Sequence, residues 1–244
     1  MGRENRLKVM SYNIRHGRGM DDRYDLQRIA GVLRDSSADI IGLQEVDRHF
    51  ADRSGYEDTI SELARNLGMF YRYGANVVWP PEEGRTKERE YGIAVLSKYP
   101  IVSSGYHPLN SFDDEQRGLL SAEIGVNGAN LHFHCVHLAL EERHRIAQAE
   151  EIAGIVDAKD GPCVIVGDFN AHPEGPEIAR MEQRYANVFN GARAAYTFPS
   201  DDPTETLDYI FIQHGLEYRG EREIIRSNAS DHCPIAAYVY LNGK

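Results

Sequence analysis

Between Pro162 and His172 the chain reads Pro-Cys-Val-Ile-Val-Gly-Asp-Phe-Asn-Ala-His, and few folds accommodate such a stretch. Val164, Ile165 and Val166 are a run of β-branched residues, the mark of a central strand covered on both faces. The run stops at Gly167, where the backbone can approach a neighbour closely. Asp168 and Asn170 then sit two apart, and in extended chain residues i and i+2 project to the same side. A carboxylate and a carboxamide therefore face one spot at the end of a rigid strand. That pair suits holding a hard metal ion or orienting a water. An Asx turn that merely closes a strand explains the same residues, so the rest of the chain has to decide.

The remaining pattern is strands interleaved with a few helices. Strands are expected at 7–14, 39–46, 69–79, 91–97, 101–106, 119–126, 131–138, 207–212, 216–225 and 235–241, with a hairpin around Asn127-Gly128. Helices are expected at 25–34 behind Asp25 as N-cap, at 54–67 closed by Gly68, and at 141–158. Residues 173–203 read as irregular. No repeat or linker interrupts the 244 residues, so we expect one domain spanning 1–244. The fold class is α/β: a sandwich of two packed sheets covered by helices.

Several functions are disfavoured by composition. The formal net charge of −11 argues against a nonspecific grip on nucleic acid or anionic membrane, though not against an anionic substrate met locally by a metal. Cys135, Cys163 and Cys233 are too widely spaced for a zinc knuckle and odd in number, and read as core residues of a reducing compartment. No segment is apolar for long enough to span a bilayer and no leader is evident, so a cytoplasmic monomer is the expectation.

Four strands end in the same kind of residue. Asn13 ends the first, Gln44 and Glu45 the second, Asp168 and Asn170 the Gly-Asp-Phe-Asn strand, and Asp231-His232 precede the last; Asp208 heads another, and His137 closes a run with His132 and His134. If these ends converge, Glu45 and the Asn/Asp set offer oxygen ligands suited to Mg²⁺ or Mn²⁺. His232 beside a carboxylate is a base or donor held in one tautomer. At each position capping or a satisfied core histidine is the plainer alternative. Arg15, His16 and Arg18 could grip a second phosphate or simply be solvated. The mixed-sign run 85–90 reads as a rim, Tyr71, Tyr73 and Trp79 as sheet aromatics, and Arg143 to Arg145 as a first helical turn able to reach the site mouth.

Taken in order, Ser11-Tyr12-Asn13, Leu43-Gln44-Glu45-Val46, Gly92 to Pro100, Arg117-Gly118, His137-Leu138, Gly167-Asp168-Phe169-Asn170, Leu207-Asp208-Tyr209 and Ser230-Asp231-His232-Cys233-Pro234 resemble the endonuclease/exonuclease/phosphatase superfamily, the deoxyribonuclease I-like fold. The resemblance implies a four-layer sandwich and a metal-dependent phosphoesterase. Glu45 would be the principal Mg²⁺ (or Mn²⁺) ligand, with Asn13 and Asp231 near it. Asp168 would orient or deprotonate the attacking water, and Asn170 would contact phosphoryl oxygens. His232, its ring fixed by Asp208, would donate to a phosphoryl oxygen. His137 would sit near the leaving group, with Glu90 or Glu88 as its carboxylate partner, and Arg117 would support the site from beneath.

Arg15 departs from the DNA-repair branch, which has an acidic residue there, and His137 points the same way. With the acidic charge, this favours a small-molecule or lipid-head-group phosphoester over nucleic acid. A metal-dependent DNA/RNA nuclease and a non-catalytic binding module are the alternatives.

Overall fold

The computed structural model describes residues 5–190, 195–213 and 216–241. Among them, β1 (Asn5–Asn13), β2 (Ile40–Arg48), β3 (Phe70–Trp79), β4 (Arg89–Ser97), β11 (Glu217–Ile224) and β12 (Ile235–Leu241) form one sheet in the order β11-β12-β1-β2-β4-β3. The second is β5-β6-β7-β8-β10-β9, built from β5 (Ile101–Leu109), β6 (Arg117–Val126), β7 (Ala129–His137), β8 (Cys163–Asp168), β9 (Tyr185–Asn187) and β10 (Asp208–Gln213). The inner faces bury one apolar layer, including Val9, Ile40, Phe133, Val166 and Ile210. Helices α1 (Leu26–Ser36) and α2 (Thr59–Leu67) cover the outer face of the first sheet, and α3 (Glu142–Asp157) and α4 (Pro176–Glu182) that of the second. This is the four-layer sandwich expected from the sequence.

Two parallel pairs position everything that follows. β1 lies parallel to β2 with Asn13 beside Gln44, and β7 lies parallel to β8 with His137 beside Asp168. Parallel strands need a crossover, and α1 and α3 supply it. Each pair thus ends its strands together, and β10 adds Asp208 opposite Asp168. The sheets approach closely at Gly42, where a Cβ would stand 2.4 Å from Val166 Cγ2.

Local chemistry sets the boundaries. Asp25 caps α1 by accepting from Gln27 N and Arg28 N, and Asn127-Gly128 turns the β6–β7 hairpin with φ of 49° and 88°, as a two-residue turn of this hand requires. Two expectations need correction. The second helix begins at Thr59, because Asp58 caps it by accepting from Ser61 N, and Asp52–Ser54 form a separate 3-10 turn. The stretch 173–203 is not wholly irregular, since it holds α4, opened by Pro176 at its first turn, and the short β9.

Candidate active site

Asn13 joins the two sheets. Its Nδ2 donates to Glu45 Oε1 and to Asp168 Oδ2, both at 3.0 Å, while its Oδ1 accepts from Arg15 N at 3.0 Å. Asn13 therefore presents nitrogen, not oxygen, to the carboxylates. In this arrangement it clamps the two carboxylates together. Ser230 holds the clamp from behind, its Oγ donating to the Asn13 carbonyl at 2.7 Å.

Glu45 reaches this spot through a bulge. The β2–β4 register shifts between Leu43 and Val46, and Glu45 has φ of 56°. A left-handed glutamate is costly and is kept where the surroundings over-determine it. Gln44 turns the other way, between the sheets, where its Nε2 donates to Cys135 Sγ at 3.2 Å. Burial, then the neighbouring Asp231, push the Glu45 carboxyl up from its ordinary value.

Asp168 lies between two imidazoles that differ in charge. His232 donates from Nδ1 to Asp208 Oδ2 at 2.9 Å, which leaves its Nε2 3.7 Å from Asp168 Oδ2. Burial opposes a charge on that ring, yet Asp208 and Asp168 outweigh it and raise His232 to about 10. His137 has the opposite lot. Arg117 Nη1, which can only donate, approaches His137 Nδ1 at 3.1 Å, so the ring proton sits on Nε2, 3.5 Å from Asp168 Oδ2. Burial and then Arg117 hold His137 neutral, well below its ordinary value. Asp168 itself is lifted to about 6, by burial first, His232 opposing and Asp208 adding.

The remaining expected residues fall as follows. Asn170, at φ of 49°, donates from its backbone N to Asp168 Oδ1 and from Nδ2 to the Leu138 carbonyl, both at 2.9 Å. Asp231 lies beside this group, its Oδ2 3.4 Å from Arg15 Nε. Arg15 is thus engaged with a carboxylate in addition to any role toward substrate. Arg117 is buried beneath His137, with Glu115 at 3.1 Å. The carboxylate partner expected for His137 is corrected: Glu90 pairs with Arg48 at 3.1 Å in the other sheet, Glu88 is exposed, and Arg117 and Asp168 take the two ring nitrogens. His144 and Arg145 turn away as well, to Asp114 and Glu177.

Two contributors were not anticipated. Ser230 was read only as part of a motif, and Phe198, whose ring centroid lies 5.0 Å from that of His232, fell in the stretch read as irregular. A serine before Asp-His is a signal for the first. Nothing local marks the second.

The donor set fits a hard divalent cation. Glu45, Asp168, Asp208 and Asp231 are gathered against Arg15 and a protonated His232, and burial first, with neighbouring acids adding, raises the Glu45 and Asp168 carboxyls, a cost that a cation would relieve. Asp168, Asp208 and His232 also bring ligand atoms within 4.8 Å of one another. Within that trio Asp208 Oδ1 is buried with no hydrogen-bond partner, and Glu45 is joined to Asp168 through the Asn13 amide.

A buried carboxylate near neutral pKa, flanked by one charged and one neutral imidazole beside a cation cradle, is the equipment of a phosphate-ester hydrolase. The chain belongs to the Endonuclease/Exonuclease/phosphatase family, whose model matches residues 10–232 and whose members hydrolyse phosphate esters. It is 32% identical over 255 residues to the uncharacterized protein YbhP of Escherichia coli K12, covering 96% of each chain. To a phospholipase C of Staphylococcus aureus it is 27% identical over 235 residues, covering 72% of this chain and 71% of that one. Among solved structures, an endonuclease/exonuclease/phosphatase from Beutenbergia cavernae superposes with a TM-score of 0.78 at 22% identity, covering 99% of this chain and 72% of that one.

Proposed function

We propose that this protein is a divalent-metal-dependent phosphoesterase acting on a small or lipid-derived substrate. The observation that carries the reading is the Asp168 carboxylate between a cationic His232 and a neutral His137. Asp168, lifted toward the operating range of a general base, accepts a proton from the attacking water. His232, its charge secured by Asp208, donates from Nε2 to a phosphoryl oxygen and stabilises charge that grows during displacement. Neutral His137 still carries a proton on Nε2 and donates near the leaving group. Asn170 Oδ1, free of the Leu138 contact, completes the polar rim. Mg²⁺ or Mn²⁺ held by Glu45, with Asp231 beside it, would neutralise developing phosphoryl charge. The acidic chain and the resemblance to a phospholipase C support a small or lipid-head-group ester over a nucleic acid.

The test is hydrolysis of bis-p-nitrophenyl phosphate, p-nitrophenyl phosphate, a phospholipid, plasmid DNA and single-stranded DNA with Mg²⁺, Mn²⁺ or EDTA, alongside His232→Ala. We expect metal-dependent turnover of the small esters or the lipid, lost in the variant. Plasmid nicking lost in the variant makes the protein a nuclease instead, and no turnover of any ester leaves a binding module.

A further inference from the structure

Beside the Glu45 bulge stands an arginine that the chemistry above leaves unused. Arg53, on the 3-10 turn Asp52–Ser54, is locked to Asp47 by a fork: Nε to Oδ2 at 3.0 Å and Nη2 to Oδ1 at 2.8 Å. Asp47 is fully buried and also accepts from Ser54 Oγ at 2.7 Å. The guanidinium plane rests 4.8 Å above the Phe50 ring and 5.5 Å from that of Tyr91, and Phe50 is itself stacked on Trp79. The fork and the aromatic wall fix the guanidinium in place, yet Nη1 has no hydrogen-bond partner among the described residues. Its side chain is 38% exposed.

Burying a carboxylate completely in order to hold one edge of a half-exposed arginine is an expensive arrangement if the other edge has no task. The surroundings indicate the task. Arg53 lies within electrostatic reach of Glu45, as does Tyr91. The turn at Arg15–Gly17 packs against the turn of Arg53, and His16 feels the charges of Arg53, Arg15 and Arg18 as well as Asp47. His16 is 7% exposed and both its ring nitrogens lack partners. An acidic protein thus puts a preorganised cationic edge within electrostatic reach of Glu45.

We propose that Arg53 is a specificity residue forming an anion subsite, which binds a second phosphate or carboxylate carried by the substrate beyond the ester that is cleaved. The inference rests on the phosphoesterase reading for the cleaved ester, and its binding arm does not. A planar donor edge fixed by a buried partner suits such a group, because little rotamer freedom remains to be lost on binding.

A matched pair of probes tests it: propane-1,3-diol bisphosphate against propyl phosphate, with 3-phosphopropionate to separate carboxylate from phosphate. Binding to the full chain is measured by calorimetry with Mg²⁺ present, for the native protein and Arg53→Gln. We expect the bisphosphate to bind at least tenfold tighter than propyl phosphate, and that ratio to fall below threefold in the variant. Equal affinities in the native protein, or equal weakening of both probes in the variant, overturns the subsite. A 3-phosphopropionate advantage that vanishes in Arg53→Gln supports a carboxylate as the second group. If Arg53→Gln does not fold, Asp47→Asn with Arg53→Gln keeps a neutral hydrogen-bonded pair and is read the same way. Failure of the phosphoesterase reading shows separately, as no turnover of any ester while the binding ratio persists.

Discussion

At the scale of single residues, the site works by separating charges that water would level. Two imidazoles stand near Asp168; acid partners keep one charged, and burial with a nearby guanidinium keeps the other neutral. Asp208 adds to the lift of the Asp168 carboxyl, but its direct bond is to His232, so the two should behave nearly as a unit. Asp208→Ala is expected to lower kcat by roughly 10²–10³-fold, the scale of losing one transition-state donor. The double variant with His232→Ala should then be little slower than His232→Ala alone, as measured on bis-p-nitrophenyl phosphate. Additive losses would give Asp208 a separate role. Most of these residues could be picked from the sequence because each sits at a strand end, a local pattern. The Asp208 partner of His232 came with the family resemblance, but the contact of Arg117 with His137 did not. Arg117 meets His137 only because the register pairs Gly118 with His137, and cross-strand register is not written near either residue.

Among elements, the parallel pair of β7 and β8 has least room to adjust. A Cβ at Gly167 would stand 2.3 Å from the Val136 carbonyl, a backbone atom that cannot swing aside. Gly167→Ala must therefore part the strands that carry His137 and Asp168. We expect about 1–3 kcal/mol of destabilisation, the range for an overpacked core, seen as a lower urea midpoint at unchanged m-value. The buried run before Gly167 announced β8 plainly. The stretch after Pro173 hid α4 and β9 because a seven-residue helix and a three-residue strand are too short to display a period.

For the whole molecule, buried neutral histidines tie stability to pH. His134, with its Nδ1 on Ser121 Oγ and its Nε2 buried without a partner, is held down to about 3 by burial, and His16 to about 4, likewise by burial first. Each takes a proton more readily unfolded, near 6.5, than folded. Their stabilisation is complete above about pH 6.5 and drains as the pH falls below it toward the folded values. Between pH 7.5 and 5.0 His134 alone is expected to account for about 2 kcal/mol of lost stability. Chemical denaturation of the native protein and of His134→Gln at both values checks this: the variant should lose less, and an equal loss would refute it.

The Asn13 amide spans the seam of the sandwich, one hydrogen on a carboxylate of its own sheet and one on a carboxylate of the other. The halves of the catalytic group thus belong to two slabs held together mainly by greasy contact, which resists separation but not small sliding. Asn13 is the gauge of their alignment. A methyl added at Gly42, pressed against Val166 and Cys135 Sγ, would act as a shim between the slabs. Since a misplacement of about 1 Å can cost on the order of 10²-fold in rate, such a shim should silence the chemistry while most of the fold survives.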